Sequence, residues 1–104
     1  MSYIEETRIA LELLGSRLRL ARLARNEPMA LFAERIGVSV PTLRDMERGS
    51  PTVQIGFWLM AFWALGRLDE MTPLLAERES LIERARRERE HPARRRASRR
   101  TRSA

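Results

Sequence analysis

The sequence predicts an all-α protein with about five helices. Apolar residues recur at spacings of three and four in several segments, which is the repeat of an amphipathic helix. Glycine and proline separate these segments, and both residues mark the points where helices end or begin. At 104 residues the chain has room for one domain and little else.

The N-terminal part predicts one helix behind a short lead-in. Residues 1–12 are expected to be a frayed or short helical lead-in. The helix itself is expected from about residue 13 to Arg25. Its inward side is expected to carry three apolar residues, Leu14, Leu18 and Ala21.

Residues 29–49 predict two short helices joined by a tight turn. Gly37 supplies the left-handed backbone that ends the first helix. Ser39 is suited to cap the second, and Pro41 in its first turn has no amide hydrogen to leave unbonded, so that helix should start near Val40. The first helix is expected to bury Leu31, Phe32 and Ile36. Ala33 is small enough for another helix to cross close to its backbone.

The second helix of this pair has one packing face and one free face. At about 100° per residue, Leu43 and Met46 fall on the packing side. The other side holds Val40, Pro41, Arg44, Asp45 and Arg48. A short helix pair of this kind is by itself most often an ordinary hairpin with a solvated charged face.

From about Leu14 to Leu75 the chain resembles the XRE (Cro/repressor-type) helix-turn-helix family. The resemblance lies in the segments LGSRLRLAR, LFAERIGVS, PTLRDMERG and WALG. It implies a lambda-repressor-like domain over residues 13–76, in which the second helix of the pair enters the DNA major groove and the first crosses the backbone. It also implies an ion pair between Arg22 and Glu47 that ties the first helix to the recognition helix.

The resemblance implies DNA contacts as well. Five residues would face bases: Val40, Pro41, Arg44, Asp45 and Arg48. Backbone amides and short polar side chains, with one arginine, would hold phosphates: Arg17, Met29, Ala30, Ser39, Thr42, Ser50, Thr52, Gly56 and Phe57. Pro28 and Met29 stand where the family usually has a polar cap and a glutamine, so phosphate there would be held by amides and the helix dipole.

The segment IGFWLMAFWAL, residues 55–65, predicts a fourth helix that is apolar all round. Its core face is expected to be Ile55, Trp58, Leu59, Phe62 and Leu65. Its opposite face is expected to be Phe57, Met60, Trp63 and Ala64. A domain this small cannot cover both faces, so the second is predicted to be a dimer or partner interface, the alternative being that the next helix covers it.

A last amphipathic helix is predicted to open at Asp69 or Thr72 and to reach about Glu90, with residues 77–91 as a C-terminal helix beyond the domain. Pro92 would end it. Residues 92–104 contain six arginines and no apolar residue larger than alanine, so they predict a disordered basic tail.

Charge and composition exclude several classes of protein. Every one of the 20 basic residues is arginine; 14 of them precede the tail and balance the 14 acids, so the excess of +6 lies in the tail. There is no cysteine and a single histidine, His91, which argues against disulfides, zinc sites and other cofactors. We expect no enzyme, no membrane span and no secretory signal, hence a cytoplasmic protein.

The leading functional prediction is a homodimeric, sequence-specific DNA-binding autorepressor, with half-sites about one helical turn apart. The segment from Pro51 to Met71 and the arginine-rich end also look similar to HipB-like antitoxins, which repress their operon and hold a HipA-like kinase toxin. The alternative is therefore a protein-binding module with weak or secondary DNA binding. The tail would contact that partner, or attract phosphate nonspecifically.

Overall fold

A computed structural model describes residues 3–77 and 81–90 of the chain. These residues form helices and connecting turns, with no strand among them. The helices are α1 (Glu5–Ala24), α2 (Met29–Ile36), α3 (Val40–Arg48), α4 (Ile55–Ala64) and α5 (Leu81–Glu90), with a 3₁₀ turn at Leu68–Glu70. The chain up to residue 74 forms one compact unit, and α5 belongs to a second. The predicted all-α fold is thereby confirmed.

Helix α1 begins at Glu5, well before the predicted start near residue 13. Two acidic residues in its first turn, Glu5 and Glu6, interact favourably with the positive end of the helix dipole. The Thr7 hydroxyl donates to the Ile4 carbonyl at 2.7 Å, and Arg8 pairs with Glu5. Residues 5–12 of the expected lead-in therefore belong to the first helix.

Helices α2 and α3 have the predicted bounds. Gly37 adopts φ +76° and ends α2, while Gly49 adopts φ +81° and ends α3. The Ser39 hydroxyl accepts a 3.2 Å hydrogen bond from the Thr42 amide, so Ser39 is the predicted N-cap. The prediction for Leu31 was wrong, since its side chain is 48% exposed and α2 turns Phe32, Ala33 and Ile36 inward instead.

The core joins the first four helices. It consists of Leu18, Phe32, Ala33, Ile36, Leu43, Met46, Trp58, Ala61, Ala64 and Leu65. Four large side chains are almost completely buried, Phe32, Ile36, Leu43 and Met46. Burying a side chain of this size contributes about 1.5–3 kcal/mol relative to leaving it in water. Leu43 and Met46 therefore anchor α3 by its predicted packing face.

The predicted core face of α4 was partly wrong. Ile55 and Leu59 are exposed, whereas Ala64, predicted to face outward, is 4% exposed. Ala61 and Ala64 lie in the core with Trp58, and these small side chains allow α2 to pack close to α4. A helix that is apolar all round gives no periodic signal from which its inner face can be identified.

The chain after α4 does not continue into the long helix that was predicted. Residues 68–70 form a 3₁₀ turn and residues 71–75 form further turns, with Leu75 at φ +62°. A left-handed residue interrupts an α-helix, so the predicted opening at Asp69 or Thr72 was wrong. Every described residue of α5 is exposed. The predicted helix stop at Pro92 and the tail 92–104 lie outside the described residues.

Candidate nucleic-acid interface

Two glycines let α1 and α3 cross in backbone contact. A Cβ atom added at Gly15 would lie 2.5 Å from the Met46 carbonyl oxygen and 2.7 Å from that of Glu47. At Gly49 it would lie 2.6 Å from the Glu12 Cα atom. Sequence reasoning missed Gly15, although a glycine inside a strong helical segment costs about 1 kcal/mol against alanine and signals a packing reason.

A buried ion pair fixes α3 beside this crossing. Arg22 Nε lies 2.7 Å from Glu47 Oε2, and Arg22 Nη2 lies 3.1 Å from Glu47 Oε1. The third donor, Nη1, reaches the Glu27 carbonyl at 2.9 Å. The side chains of Arg22 and Glu47 are 7% and 4% exposed, and their hydrogen bond raises the pKa of Arg22 above its ordinary value. The pair implied by the family resemblance is present.

The outer face of α3 carries charged groups that have no partner among the described residues. Pro41, Arg44, Asp45 and Arg48 are exposed. Within residues 3–77 and 81–90, no hydrogen bond or ion pair holds the side chains of Arg44, Asp45 or Arg48. Val40 differs from these four because it is half-buried and packs against the core.

Short hydroxyl side chains lie at both ends of α3. At the start, Ser39 accepts from the Thr42 amide and donates to the Thr42 hydroxyl oxygen at 3.0 Å, so much of their capacity is used by the cap. After the end, the hydroxyls of Ser50 and Thr52 lie 3.0 Å apart, and the Ser50 amide donates to the Asp45 carbonyl at 2.9 Å. Four of the predicted phosphate contacts thus border the charged face.

The starts of α2 and α4 have no side-chain caps. Pro28 precedes α2 and Gln54 precedes α4, and neither side chain bonds to the helix. Met29 and Ala30 therefore begin a helix whose first amides have no side-chain acceptor. At α4 the Phe57 amide already donates to the Gln54 carbonyl at 3.1 Å, which removes Phe57 from the predicted phosphate set. A Cβ atom at Gly56 would meet nothing within 4 Å, so its backbone is open to a ligand.

Arg17 points away from the side of α1 that packs against α3. It lies five positions before Arg22, and at about 100° per residue its direction differs from that of Arg22 by about 140°. Since Arg22 faces α3, Arg17 projects elsewhere, and it lines a cavity between α1 and α4. The phosphate role implied for Arg17 stays a prediction.

The predicted interface on α4 changes in membership. Met60 and Trp63 are exposed as expected, Trp63 by 57%. Ala64 is buried and Phe57 is half-buried against the core, so neither belongs to the exposed apolar surface of α4. Ile55 and Leu59 are exposed and replace them. We name Ile55, Leu59, Met60 and Trp63 the α4 apolar face.

The arginines of residues 3–77 fall into two groups. Those with a carboxylate partner are Arg8, Arg22, Arg25, Arg35 and Arg67. Those without one among the described residues are Arg17, Arg19, Arg44 and Arg48. Two of this second group share the outer face of α3.

Arg25 and Arg35 illustrate the paired group. Both bond to Glu27 and to carbonyl oxygens at the end of α4, Arg25 to Leu65 at 3.1 Å and Arg35 to Ala64 at 2.8 Å. The hydrogen bond from Arg35 is the main reason that the pKa of Glu27 lies below its ordinary value. The guanidinium groups of Arg25 and Arg35 therefore hold the end of α4 in place.

No family model, curated protein or solved structure matches the chain. Among the described residues, no helix is long and apolar enough to cross a membrane.

Proposed function

We propose that this protein is a sequence-specific double-stranded DNA-binding transcriptional regulator, with α2 and α3 as a helix-turn-helix and α3 as its recognition helix. The observation that carries the proposal is the contrast between the two sides of α3. Its inner side is fixed by Leu43, Met46 and the Arg22–Glu47 pair. Its outer side presents guanidinium and carboxylate groups that bond to nothing else in residues 3–77 and 81–90.

Arg44 and Arg48 are the base-reading residues of this proposal. The guanidinium fork matches the O6 and N7 acceptors of guanine in the major groove. Asp45 can accept from the N4 amino group of cytosine, and the Pro41 ring can contact a thymine methyl group. Val40 contributes through the same edge of the helix, although part of its side chain is used in packing.

Backbone amides and hydroxyls would hold the phosphates on either side. The uncapped starts of α2, at Met29 and Ala30, and of α4, at Gly56, offer amides and the positive ends of helix dipoles. The hydroxyls at the two ends of α3 offer further donors: Ser39, Thr42, Ser50 and Thr52. Such contacts set register and orientation on the duplex, while the α3 side chains set sequence preference.

The regulator would act as a homodimer through the α4 apolar face. Four exposed apolar side chains on one helix form a surface that favours an apolar partner over water. The same face on a second copy is such a partner, and a two-fold pairing gives an isologous interface. Two recognition helices would then read half-sites about one helical turn apart.

Within this proposal the protein is a cytoplasmic autorepressor without enzymatic activity, and antitoxin is its finer assignment. The second candidate is a module that mainly holds a partner protein, such as a kinase-like toxin. What favours it is the exposed apolar side chains beyond α4, namely Leu74, Leu75, Leu81 and Ile82. A partner protein could recognise these apolar side chains, whereas DNA would recognise charged and hydrogen-bonding groups.

Selection of bound duplexes from a random DNA pool tests the proposal. The full chain should enrich a two-fold symmetric motif, and Arg67→Ala should enrich the same motif. Arg67 is a suitable control because it is also an exposed arginine, lies outside α3 and pairs with Glu70. Arg44→Ala should enrich a motif that is degenerate at one position of each half-site. Absence of any enriched motif would refute sequence-specific binding.

Deleting residues 92–104 tests what the six tail arginines do. If they form a DNA arm, affinity for selected and random duplexes should fall together, and the plot of log K against log salt should become shallower. Sequence preference should survive the deletion. Unchanged DNA affinity and salt slope would mean that the tail is not a DNA arm, and would favour the partner-binding alternative.

A further inference from the structure

A cavity of about 270 Å³ lies between α1 and α4, away from the outer face of α3. Its walls include four large apolar side chains, Leu14 and Leu18 from α1 and Trp58 and Phe62 from α4. Trp58 is buried, so its ring is held in place by the core. The cavity is partly open to solvent, and its volume exceeds the roughly 150 Å³ of an enclosed apolar cavity that binds benzene, so one or two fused rings can enter it.

The cavity rim carries one charge that is not neutralised. Arg67 and Glu70 both line the rim, but they pair with each other, Arg67 Nη2 lying 2.9 Å from Glu70 Oε1. Arg17 also lines the rim, and no carboxylate or hydrogen-bond acceptor holds it within residues 3–77 and 81–90. The rim therefore has a net positive charge located at Arg17.

We propose that this cavity is a binding site for a small aromatic carboxylate. The aromatic ring would pack against Trp58 and Phe62, where offset or edge-to-face contacts between rings are favourable. The carboxylate would accept two hydrogen bonds from the Arg17 guanidinium, in the bidentate arrangement that matches both groups. A cation would be repelled at this rim, and a neutral ligand would leave the Arg17 charge unpaired.

The packing around the cavity favours a bound ring. The cavity is partly open to solvent, so water contacts its apolar walls, and a ring that displaces this water would remove apolar surface from water. Leu18 and Trp58 belong to the core that also buries Leu43 and Met46. A ligand that fills the cavity should therefore stabilise the folded state, independently of whether DNA is bound.

Nuclear magnetic resonance of the ¹⁵N-labelled full chain, titrated with 2-naphthoate, provides the test. The chain has two tryptophans, of which Trp58 lines the cavity and Trp63 does not. The indole N–H signal of Trp58 should shift in a saturable manner, and that of Trp63 should stay in place. The midpoint of thermal unfolding should rise with 2-naphthoate concentration.

Two comparisons isolate the role of Arg17. Arg17→Gln should weaken 2-naphthoate binding by about tenfold, because a charge-assisted bidentate contact is lost. Arg19→Gln is the matched control, since Arg19 is exposed on the same helix, lacks a carboxylate partner among the described residues and does not line the cavity. It should bind 2-naphthoate as the unaltered chain does. The neutral 2-naphthamide should bind the unaltered chain about as weakly as 2-naphthoate binds Arg17→Gln.

A variant with a smaller cavity gives a second, independent test. Ala21 lines the cavity and is half-buried, so Ala21→Leu places a larger side chain inside it. The variant should keep its fold and lose the Trp58 response. The proposal is overturned if Trp58 shows no saturable shift, if Trp63 shifts equally, or if Arg17→Gln and Arg19→Gln bind 2-naphthoate alike.

Discussion

Helices α3 and α4 are nearly equal in length, with 9 and 10 residues, and they expose opposite kinds of surface. Helix α3 buries Leu43 and Met46 and exposes charged side chains. Helix α4 buries Trp58, Ala61 and Ala64 and exposes the α4 apolar face. The first surface suits a charged, hydrogen-bonding partner such as DNA, and the second suits an apolar partner such as a second copy. Each surface can therefore be disabled while the other is kept.

The largest effect is expected on the α4 apolar face. If the proposed homodimer forms through this face, Met60→Glu combined with Trp63→Glu should convert it to monomers in sedimentation velocity. Met60 is 41% and Trp63 57% exposed, so an interface could add only about half of the roughly 1.5–3 kcal/mol for full burial of each, and losing both on both copies removes about 3–6 kcal/mol. Leu31→Glu is the control, because Leu31 is an exposed apolar residue on α2 and should leave the dimer intact. An unchanged dimer in the double variant would place the interface elsewhere.

The same comparison explains how far the sequence could predict this fold. In α3 charged and apolar residues alternate with helical period, so its inner face, its cap and both its ends follow from the sequence. In α4 nearly every residue is apolar, so the packing of the other helices decides which side is buried. Small residues such as Ala61 and Ala64 lie where a neighbouring helix packs closest. The sequence predicted the existence of α4 but not its core face.

The sequence also predicted some parts of the candidate site and missed others. Arg44, Asp45 and Arg48 were placed on the exposed side of α3 by periodicity alone. Arg17 is exposed, but the cavity that it lines could not be predicted, because the other wall is formed by α4, a distant part of the chain. The Phe57 amide was misassigned because a local turn bond to Gln54 leaves no signal in residue type.

The next largest effect concerns what holds α3 in position. Arg22→Ala or Glu47→Ala should each lower the free energy of unfolding by about 3–5 kcal/mol, because each leaves a buried charge without its partner. The double variant should lose less than the sum of the two. Urea unfolding of all four proteins measures this coupling.

The exposed Glu5–Arg8 pair is a control for the Arg22–Glu47 cycle. Both of its side chains are at least half exposed, so water screens their attraction, and removing either should change stability little. If Arg22 and Glu47 behaved as additively as Glu5 and Arg8, the ion pair would not be what fixes α3.

A smaller loss is expected at the helix crossing. Gly15→Ala brings a Cβ atom against backbone oxygens of α3, which cannot move aside as a side chain could, and should cost about 3 kcal/mol of stability. Gly56→Ala is the matched control, since open space surrounds that position, and should leave the protein equally or slightly more stable. Equal thermal unfolding of the two variants would contradict the close crossing of α1 and α3.

The most direct test of α3 as the DNA-reading surface compares Arg44→Ala with Arg67→Ala on the selected duplex and on random DNA. Arg44→Ala should lose roughly 1–3 kcal/mol on the selected duplex and much less on random DNA, because a guanine-reading side chain is removed. Arg67→Ala removes the same charge outside α3 and should change the two affinities little and equally. If Arg44→Ala weakens both duplexes by the same factor, or behaves as Arg67→Ala does, α3 is not the recognition helix.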